Sequence, residues 1–257
     1  MGLFQKKKYQ PARLSDEHTG QARSKSGPVI SAVVPAAGSG ARMDGVNKLL
    51  TPVAGKPLLI HTLLALDCHK DITELIVVAR ESEMETLADL CVAHGIGKVS
   101  QIVKGGASRA ESVLLGLMAC RPDAKLAVIH DGARPCVSGA VITEAVRTAL
   151  RTGAAAPALK PPDTLKTLAP DGRTIASTLD RDNVVHIQTP QCFYPQLIKA
   201  ALTQALRDGL QPTDDCAAIE TLGVKVWITP GDPDNFKITV PADLARAEWM
   251  LAGRIGP

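Results

Sequence analysis

The glycine-rich stretch after the first apolar run is the feature that most limits what this chain can fold into. The run extends from Val29 to Val34 and continues as Pro35-Ala36-Ala37-Gly38-Ser39-Gly40-Ala41-Arg42-Met43. A β-branched strand that ends in a glycine turn has the geometry in which free backbone N–H groups bind phosphate. The sequence therefore predicts a phosphate-binding loop at the carboxyl end of a buried strand.

Two common phosphate-binding motifs do not fit this loop. A dinucleotide-binding fingerprint needs a third glycine where Met43 stands, and the Gly-Lys-Ser/Thr of a Walker A loop occurs nowhere in the chain. The loop instead carries Arg42 and is followed by Lys48. Two cations beside a glycine loop suit a triphosphate whose charge increases during a reaction. This pattern favours a nucleotidyltransferase over a redox enzyme, and the missing acidic residue about 20 positions onward also argues against a Rossmann oxidoreductase.

From Val29 onward, predicted strands and helices alternate. The strands are predicted at Val29–Val34, Leu75–Ala79, Val99–Val103, Leu126–His130 and Val224–Thr229. The helices are predicted at Pro57–Cys68, Glu81–His94, Arg109–Cys120, Val141–Thr152, Pro195–Asp208, Asp214–Leu222 and from Pro241. Such alternation predicts an α/β fold with a doubly wound, mostly parallel sheet, of the Rossmann-like nucleotidyltransferase kind. Ligands of such sheets bind at the carboxyl ends of the strands.

Two segments depart from this alternation. Residues 1–27 are polar, include Lys6 to Lys8 and show no hydrophobic period, so we expect a disordered basic tail before a single domain at 28–257. Between Lys160 and Gln188 the pattern indicates an extended β-arm that leaves the sheet. Because such an arm exposes strand edges and apolar side chains, we expect it to pair with a second subunit in a homodimer.

Composition excludes several classes of partner. A net charge of +3 is too small to indicate nucleic-acid binding. No apolar run approaches the roughly 20 residues that a membrane span requires. The six cysteines are scattered without a Cys-x-x-Cys pair, which is typical of free thiols in a reducing cytoplasm.

A second glycine turn, Gly105-Gly106, precedes a predicted helix that begins with Ser108, Arg109 and Ser112. One interpretation is a base and ribose pocket made of backbone amides, a hydroxyl and a guanidinium. The other is an ordinary strand-to-helix turn, with Ser108 as the N-cap and Glu111 completing a capping box. Both can hold together.

The segment His130-Asp131-Gly132-Ala133-Arg134-Pro135 follows another buried strand. Asp131 is well placed to hold Mg²⁺ beside phosphates, since hard cations prefer carboxylate oxygen. Gly132 lets a ligand approach the backbone closely. Arg134 could alternatively form a local ion pair with Asp131, and His130 is expected to be a hydrogen-bonded structural residue rather than a base.

Together with later segments, these motifs resemble the 2-C-methyl-D-erythritol 4-phosphate cytidylyltransferase family of the non-mevalonate isoprenoid pathway. The resemblance runs from about Val29 to Ala252. The later segments that carry it are Asp163-Thr164-Leu165-Lys166, Asp180-Arg181, Gln188-Thr189-Pro190-Gln191, Thr213-Asp214-Asp215 and Asn235-Phe236-Lys237-Ile238-Thr239. It implies that the acceptor phosphate attacks the α-phosphorus of CTP in line, giving 4-CDP-2-C-methyl-D-erythritol and pyrophosphate.

The resemblance also implies roles for individual residues. Catalytic roles fall to Arg42, Lys48, Arg181 and Lys237. Nucleotide binding falls to Pro35, Ala36, Ala37, Gly38, Ser39, Gly40, Gly106, Arg109, Ser112, Asp131 and Gly132. Binding of the sugar-alcohol phosphate falls to Asp131, Thr164, Arg181, Thr189, Thr213 and Lys237, with Arg181 expected from the partner's arm. Asp131 would hold Mg²⁺ or another divalent cation. Thr213 is equally interpreted as a helix N-cap.

Two alternatives remain open at this point. A ribitol-5-phosphate cytidylyltransferase would use the same nucleotide, but Ala133 favours the methylerythritol family because the relative carries a bulkier residue there. A non-catalytic nucleotide-binding relative is the other alternative. Arg42, Lys48, Asp131 and Lys237 argue against it, because a protein that only binds nucleotide does not need cations that stabilise a transition state.

Overall fold

The computed structural model describes residues 27–38 and 48–254 of the chain. The basic tail expected at 1–27 therefore lies, except for its last residue, outside the described residues. The same holds for Ser39, Gly40 and Arg42 of the glycine loop.

Twelve strands and seven helices are found in the described part of the chain. The strands are β1 (Ile30–Pro35), β2 (Pro52–Val53), β3 (Lys56–Pro57), β4 (Glu74–Ala79), β5 (Val99–Lys104), β6 (Leu126–Ile129), β7 (Ala154–Leu159), β8 (Lys166–Leu168), β9 (Ile175–Thr178), β10 (His186–Ile187), β11 (Gln191–Phe193) and β12 (Trp227–Pro230). The helices are α1 (Leu58–Asp67), α2 (Met84–Ala93), α3 (Arg109–Ala119), α4 (Gly139–Thr152), α5 (Pro195–Arg207), α6 (Asp215–Glu220) and α7 (Pro241–Arg254).

The central sheet has the order β5-β4-β1-β6-β11-β7, and β12 pairs along β7. β1 lies parallel to β4 and β6, whereas β10 and β11 run antiparallel to β7. The chain passes from β1 through β4 to β5 on one side and then returns to β6 on the other side of β1. The strand order thus reverses between β1 and β6, which is where open α/β sheets bind ligands.

Helices cover both faces of the sheet, which confirms the predicted doubly wound α/β fold. Side chains alternate along β1, so Ala32 and Val34 join one apolar cluster and Val33 joins the other. The first cluster includes buried residues of α1, α2, α4 and α7, and the second those of α3, α5 and α6.

Helix α3 approaches the sheet closely at Gly116. A Cβ atom at Gly116 would lie 2.5 Å from Val33 Cγ1 and 2.7 Å from Val78 Cγ2. Any side chain larger than hydrogen would therefore push the helix away from β1 and β4. Gly116 sets the height at which α3 lies above the sheet.

Three strands of the central sheet, β7, β10 and β11, were missed by the sequence prediction. β7 has the sequence AAAPAL, and alanine and proline are both depleted in strands. β11 has only three residues. The predicted strand at Val224–Thr229 begins later, at Trp227.

The β-arm predicted between Lys160 and Gln188 is present as an antiparallel pair of strands, β8 and β9. Every residue of β9 is exposed. The side chains of Leu168 and Ile175 are each 64% exposed. The arm therefore presents apolar surface that this chain does not cover.

All six cysteines are free thiols, and five of them are buried, whereas Cys68 is exposed. Burial raises the pKa of Cys91 to about 11 and that of Cys120 to about 12. In the part of the chain that the structure describes, none of the helices has the length and apolar character needed to cross a membrane.

Candidate functional site

The candidate site lies at the carboxyl ends of β1 and β6, where the strand order reverses. Ala36 follows β1 and is held to the sheet by a hydrogen bond from its N–H to the carbonyl of Val78, at 2.7 Å. Gly132 follows β6, and its N–H lies 3.4 Å from the carbonyl oxygen of Pro35. The first and third predicted motifs therefore meet at this edge of the sheet.

The second glycine turn packs against Ala37, which precedes the glycines of the first loop. A Cβ atom at Gly105 would lie 2.5 Å from Ala37 Cβ and 3.0 Å from Ser112 Oγ. The N–H of Gly106 donates to Ser112 Oγ at 3.0 Å. The structure thus brings Ala37, Gly106 and Ser112 together. It adds Gly105, for which the doubled glycine after a strand was the available signal.

The first turn of α3 is capped as predicted, with one difference. Ser108 Oγ accepts from the N–H of Glu111 at 3.1 Å, as an N-cap does. The Glu111 carboxylate accepts from the N–H of Ala107 at 2.6 Å, one residue before the donor of a capping box. This cap fixes the start of the helix, and with it the position of Arg109.

Asp131 is the electrostatic centre of the site. Its side chain is 10% exposed, and its carboxylate lies 2.8 Å from Lys237 Nζ, 3.6 Å from Arg109 Nη2 and 3.6 Å from Arg134 Nε. Burial alone would raise the pKa of Asp131, but these cations, Lys237 foremost, hold it well below its usual range. Asp131 is therefore ionised. Asp131 thus stands among three cations, of which Lys237 lies nearest.

Arg134 belongs to this cluster as well as to the ion pair that was considered as an alternative. Its Nη1 donates to the carbonyl of Asn235 at 2.6 Å. Asn235 in turn donates from Nδ2 to the carbonyl of Thr189 at 2.7 Å. Arg134 thereby joins the loop after β6 to the segment that carries Lys237.

Thr189 links the ends of β6 and β10. Its Oγ1 accepts from the N–H of Asp131 at 3.1 Å and lies 3.0 Å from His130 Nδ1. The other ring nitrogen of His130 lies 3.1 Å from the carbonyl oxygen of Arg134. Burial lowers the pKa of His130 to about 4. His130 is thus a neutral residue with hydrogen-bond partners at both nitrogens, in agreement with the structural role predicted for it.

Arg109 is held from behind by α6. Its guanidinium donates two hydrogen bonds to the fully buried carboxylate of Asp215, at 2.9 and 2.7 Å. Burial would lower the pKa of Arg109, but the Asp215 carboxylate raises it, so the guanidinium keeps its charge.

The N-cap of α6 is Asp214, which corrects the interpretation of Thr213 as that cap. Asp214 Oδ1 accepts from the N–H of Ala217 at 2.8 Å. Asp214 also accepts, at Oδ2, from Gln191 Nε2 at 2.7 Å. Thr213 stands one position before the N-cap, so its side chain is not needed to cap the start of the helix. Thr213 instead lines a cavity.

This cavity, of about 160 Å³, opens beside Asp131. It is lined by Arg109, Asp131, Arg134, Ile187, Gln188, Thr189, Gln191, Thr213, Asp214 and Lys237. Half of these residues were predicted to bind substrate or nucleotide. Arg134, Gln188, Gln191 and Asp214 stood within the quoted motifs without an assigned role, whereas Ile187 gave no signal in the sequence.

Other predicted residues lie elsewhere. Thr164 and Arg181 are exposed residues of the arm region and do not line the cavity. Ala133, which was used to choose between acceptors, is buried in the first apolar cluster and does not line the cavity either. Its carbonyl accepts from the N–H of Ile238 at 2.9 Å. Ala133 can therefore influence the acceptor only through packing.

Lys48 reaches the same segment as Lys237. Its Nζ donates to the carbonyl of Ile238 at 2.6 Å. Lys48 thus contacts the segment that carries Lys237, between the cavity and α7, although Lys48 comes 189 positions earlier in the chain than Lys237.

The donor set suits a cation that arrives with the nucleotide. Among the described residues, no group of three or more His, Cys, Asp or Glu side chains could hold a metal. Asp131 offers one carboxylate, and Mg²⁺ commonly takes one or two carboxylates together with phosphate oxygens and water. The residues present therefore fit a Mg²⁺ ion that is bound mainly by a triphosphate.

Comparison with known proteins gives a consistent result. The family model described as IspD, 2-C-methyl-D-erythritol 4-phosphate cytidylyltransferase, matches residues 30–253. The protein of that name from Halalkalibacterium halodurans is 41% identical over 223 residues, which cover 86% of this chain and 96% of the relative. The one from Desulforamulus reducens is 41% identical over 228 residues, covering 88% and 97%.

Solved structures agree. The crystal structure of 4-diphosphocytidyl-2C-methyl-D-erythritol synthase from Anaerococcus prevotii superimposes with a TM-score of 0.77 at 31% identity, covering 87% of this chain and 98% of that one. The 2-C-methyl-D-erythritol 4-phosphate cytidylyltransferase of Thermus thermophilus gives a TM-score of 0.70 at 33% identity, covering 85% and 97%. By sequence and by fold, this chain belongs to the 2-C-methyl-D-erythritol 4-phosphate cytidylyltransferase family.

Proposed function

We propose that this protein converts CTP and 2-C-methyl-D-erythritol 4-phosphate to 4-CDP-2-C-methyl-D-erythritol and pyrophosphate, in isoprenoid precursor biosynthesis. The observation that carries the proposal is the Asp131 cluster. A carboxylate beside Lys237, Arg109 and Arg134 stands at the end of β6, next to the phosphate-loop end of β1. Nothing in the fold or among the relatives favours a ribitol phosphate acceptor or a non-catalytic role.

The reaction needs cations and positioning more than it needs a base. A phosphate oxygen of the acceptor is already an anionic nucleophile, so no proton has to be removed from it. The barrier comes from bringing two polyanions together and from charge that develops at the α-phosphoryl group. His130 is not a candidate base, because it is neutral, fully buried and hydrogen-bonded.

We assign the nucleotide to the side of the site formed by β1 and α3. The loop Pro35-Ala36-Ala37-Gly38-Ser39-Gly40 would wrap the triphosphate. Gly106, Arg109, Ser112, Asp131 and Gly132 would surround the cytidine. The contact of Gly105 with Ala37 supports this assignment, since it brings the second glycine turn to the start of the first loop. Arg42 and Lys48 would stabilise charge at the α-phosphorus.

We assign the acceptor to the cavity beside Asp131. Thr189 and Thr213 would line the acceptor site, and Lys237 would bind the phosphate. Thr164 and Arg181 would reach a site from the arm of the other subunit in a homodimer. The exposed apolar side chains of Leu168 and Ile175 support this pairing of arms at about 160–188.

Asp131 would also help to hold Mg²⁺ or another divalent cation, which would supply positive charge to offset that of the departing pyrophosphate. Asp131 fits that role because it is ionised and lies at the entrance of the phosphate site. Its present ion pair with Lys237, at 2.8 Å, keeps the carboxylate charged until substrates arrive.

The organisation of the chain follows from these assignments. We propose that residues 28–257 form one catalytic domain, preceded by a basic tail at 1–27. A cytoplasmic location is proposed as well, since six unpaired thiols suit a reducing compartment.

The test is release of pyrophosphate from CTP and Mg²⁺ with 2-C-methyl-D-erythritol 4-phosphate, run beside D-ribitol 5-phosphate. ATP, GTP and UTP serve as nucleotide controls. We expect release only with CTP and the methylerythritol acceptor. Release with ribitol phosphate instead would move the protein to the other acceptor, and binding of CTP without release from either would favour the non-catalytic alternative.

A variant adds a test of the site. Lys48→Ala should lower kcat by about 10²–10³, as does loss of one donor to a transition-state charge. Lys125→Ala is the matched control, because this exposed lysine precedes β6 at the opposite end of the strand. Equal effects of the two substitutions would remove Lys48 from the catalytic assignment.

A further inference from the structure

One apolar side chain stands in the wall of an otherwise polar cavity. Of the ten residues that line it in the described part of the chain, nine have charged or polar side chains, and the tenth is Ile187. Ile187 is 36% exposed, so it is not part of either apolar cluster. The Ile187 side chain therefore lacks the packing of a core residue, and its exposure to water does not compensate for the missing apolar contacts.

Ile187 stands where the chain leaves the sheet and enters the site. It is the last residue of β10, where it pairs with Ala158 of β7. The next two residues, Gln188 and Thr189, lie beyond the end of the strand and also line the cavity. Because Thr189 Oγ1 lies 3.1 Å from the amide nitrogen of Asp131, this segment forms the wall of the cavity beside the Asp131 cluster.

The acceptor in the proposed function has one feature that the polar residues cannot recognise. It is a polyol phosphate with a single methyl branch at C2. Its phosphate and hydroxyl groups suit Lys237, Thr213 and the glutamines of the wall. A methyl group gains nothing from these partners, because burying it against charged groups displaces their water without replacing a hydrogen bond.

We propose that Ile187 is a specificity-determining residue, which contacts the methyl branch and selects branched over unbranched polyol phosphates. The inference rests on the proposed function. Ala133, by which the sequence favoured the methylerythritol family over the ribitol relative, is buried and does not reach the cavity, so it cannot make this contact.

The size of the effect follows from the contact that is available. One methyl group in an apolar pocket changes kcat/KM by roughly 10–200-fold. Ile187 covers the methyl from one side only, so we expect a preference near the lower end, about 10-fold.

The experiment compares two acceptors that differ only by the branch, 2-C-methyl-D-erythritol 4-phosphate and D-erythritol 4-phosphate, each with CTP and Mg²⁺. kcat and KM are measured for the wild-type protein, Ile187→Val and Ile187→Thr. Both variants keep a β-branched residue in the strand, and Ile187→Thr also removes apolar contact area. Ile228→Thr is the matched control, because Ile228 is an exposed strand residue outside the cavity.

We expect Ile187→Thr to lower the preference for the branched acceptor by about 3- to 10-fold, mainly through a higher KM for that acceptor. The kcat/KM for D-erythritol 4-phosphate should stay near the wild-type value. The preference of Ile187→Val should lie between those of the wild-type protein and Ile187→Thr, and Ile228→Thr should leave the preference unchanged.

Other outcomes overturn the inference. An unchanged preference, or an equal loss with both acceptors, would mean that Ile187 acts only through the structure of the strand. If Ile187→Thr fails to fold, the preference of Ile187→Val decides, and a wild-type value there contradicts the proposal. A wild-type protein that uses neither acceptor overturns the proposed function itself, whereas normal turnover with an unaltered preference overturns only the role of Ile187.

Discussion

The guanidinium of Arg109 and the carboxylate of Asp215 form a two-pronged ion pair that joins the first turns of α3 and α6. The two N–O distances are 2.9 and 2.7 Å, and the Asp215 side chain is completely buried. Arg109 also lies 3.6 Å from Asp131, at the edge of the cavity. The pair therefore fixes a cation of the site by means of a residue that no substrate can touch.

Breaking this pair from the Arg109 side should be costly. Arg109→Met leaves the Asp215 carboxylate buried without its cation, and we expect a loss of roughly 3 kcal/mol in the free energy of unfolding. Adding Asp215→Asn should recover part of that loss, because the buried charge is then gone. Urea unfolding of both single variants and the double variant measures the coupling.

Arg147→Met is the control. Arg147 pairs with Glu144 on an exposed helix face, so its substitution should cost under about 1 kcal/mol. Strictly additive losses at Arg109 and Asp215 would contradict the prediction.

Lys237→Ala should mainly weaken binding of the acceptor. The ammonium lies 2.8 Å from Asp131 in the wall of the cavity, where an incoming phosphate would meet it. Loss of a charged hydrogen bond predicts a rise of roughly 10- to 100-fold in the acceptor KM, with a smaller change in kcat. Steady-state kinetics at saturating CTP gives both constants. Lys225→Ala, at an exposed lysine before β12, should leave them unchanged. An acceptor KM that does not move in Lys237→Ala would remove this lysine from the acceptor site.

Stability should fall with acidification before the carboxylates titrate. Burial lowers the pKa of His130 from 6.5 to about 4, so between these values the unfolded chain binds a proton that the folded protein excludes. The contribution of His130 to the free energy of unfolding is therefore fully present above pH 6.5. It decreases as the pH falls towards 4, by up to about 3 kcal/mol. Asp131, whose pKa is held low, adds its own loss only below its unfolded value of 3.8.

Urea unfolding at pH 7.5, 6.0, 5.0 and 4.5 measures this slope. His130→Gln should flatten it, although burial also lowers the pKa of His61, which leaves a residual slope of the same sign. An unaltered slope in His130→Gln would show that His130 takes up its proton at the same pH in the folded protein as in the unfolded chain.

The proposed exchange of arms predicts complementation between inactive subunits. In a dimer of Lys48→Ala with Arg181→Ala, one of the two sites would contain both intact residues. Random pairing of equal amounts should restore about a quarter of the wild-type activity. Co-expression followed by the pyrophosphate assay measures it. Lys48→Ala paired with Lys237→Ala, assayed at an acceptor concentration far below the KM of Lys237→Ala, is the control, because both residues belong to the same subunit's half of a site. Activity no higher than that of the parents in the first pairing would show that Arg181 serves its own subunit.

The elements that were predicted correctly from the sequence carry strong local signals. β1 is a run of β-branched residues followed by glycine, and α3 begins with a serine cap whose hydroxyl accepts from Glu111. β7 has no such signal, since its four alanines and its proline favour other structures when taken alone. It becomes a strand because β11 and β12 pair with it, which is information that only the folded chain contains.

The same distinction applies to the site. Asp131 could be predicted because it follows a buried strand, and that requires only neighbouring residues. Its hydrogen bond with Thr189 spans 58 positions, and the pairing of Arg109 with Asp215 spans 106. No local pattern reports contacts at such separations. Asp215 therefore had no assigned role beyond its place in the segment Thr213-Asp214-Asp215, and Ile187 had no assigned role.

Gly116 has a consequence for anyone who wishes to make this enzyme more heat-resistant. Replacing glycine with alanine inside a helix usually gains about 1 kcal/mol. Gly253, near the end of α7, is a candidate for that gain, because nothing in the described part of the chain lies within 4 Å of the added methyl group. At Gly116 the methyl would meet Val33 and Val78, and α3 would have to lift from the sheet. Arg109 lies two turns, about 10 Å, along the same helix. The substitution would therefore not bring the usual gain in stability, and it would displace Arg109 from its position beside Asp131. Gly116 is the helical glycine to leave unchanged.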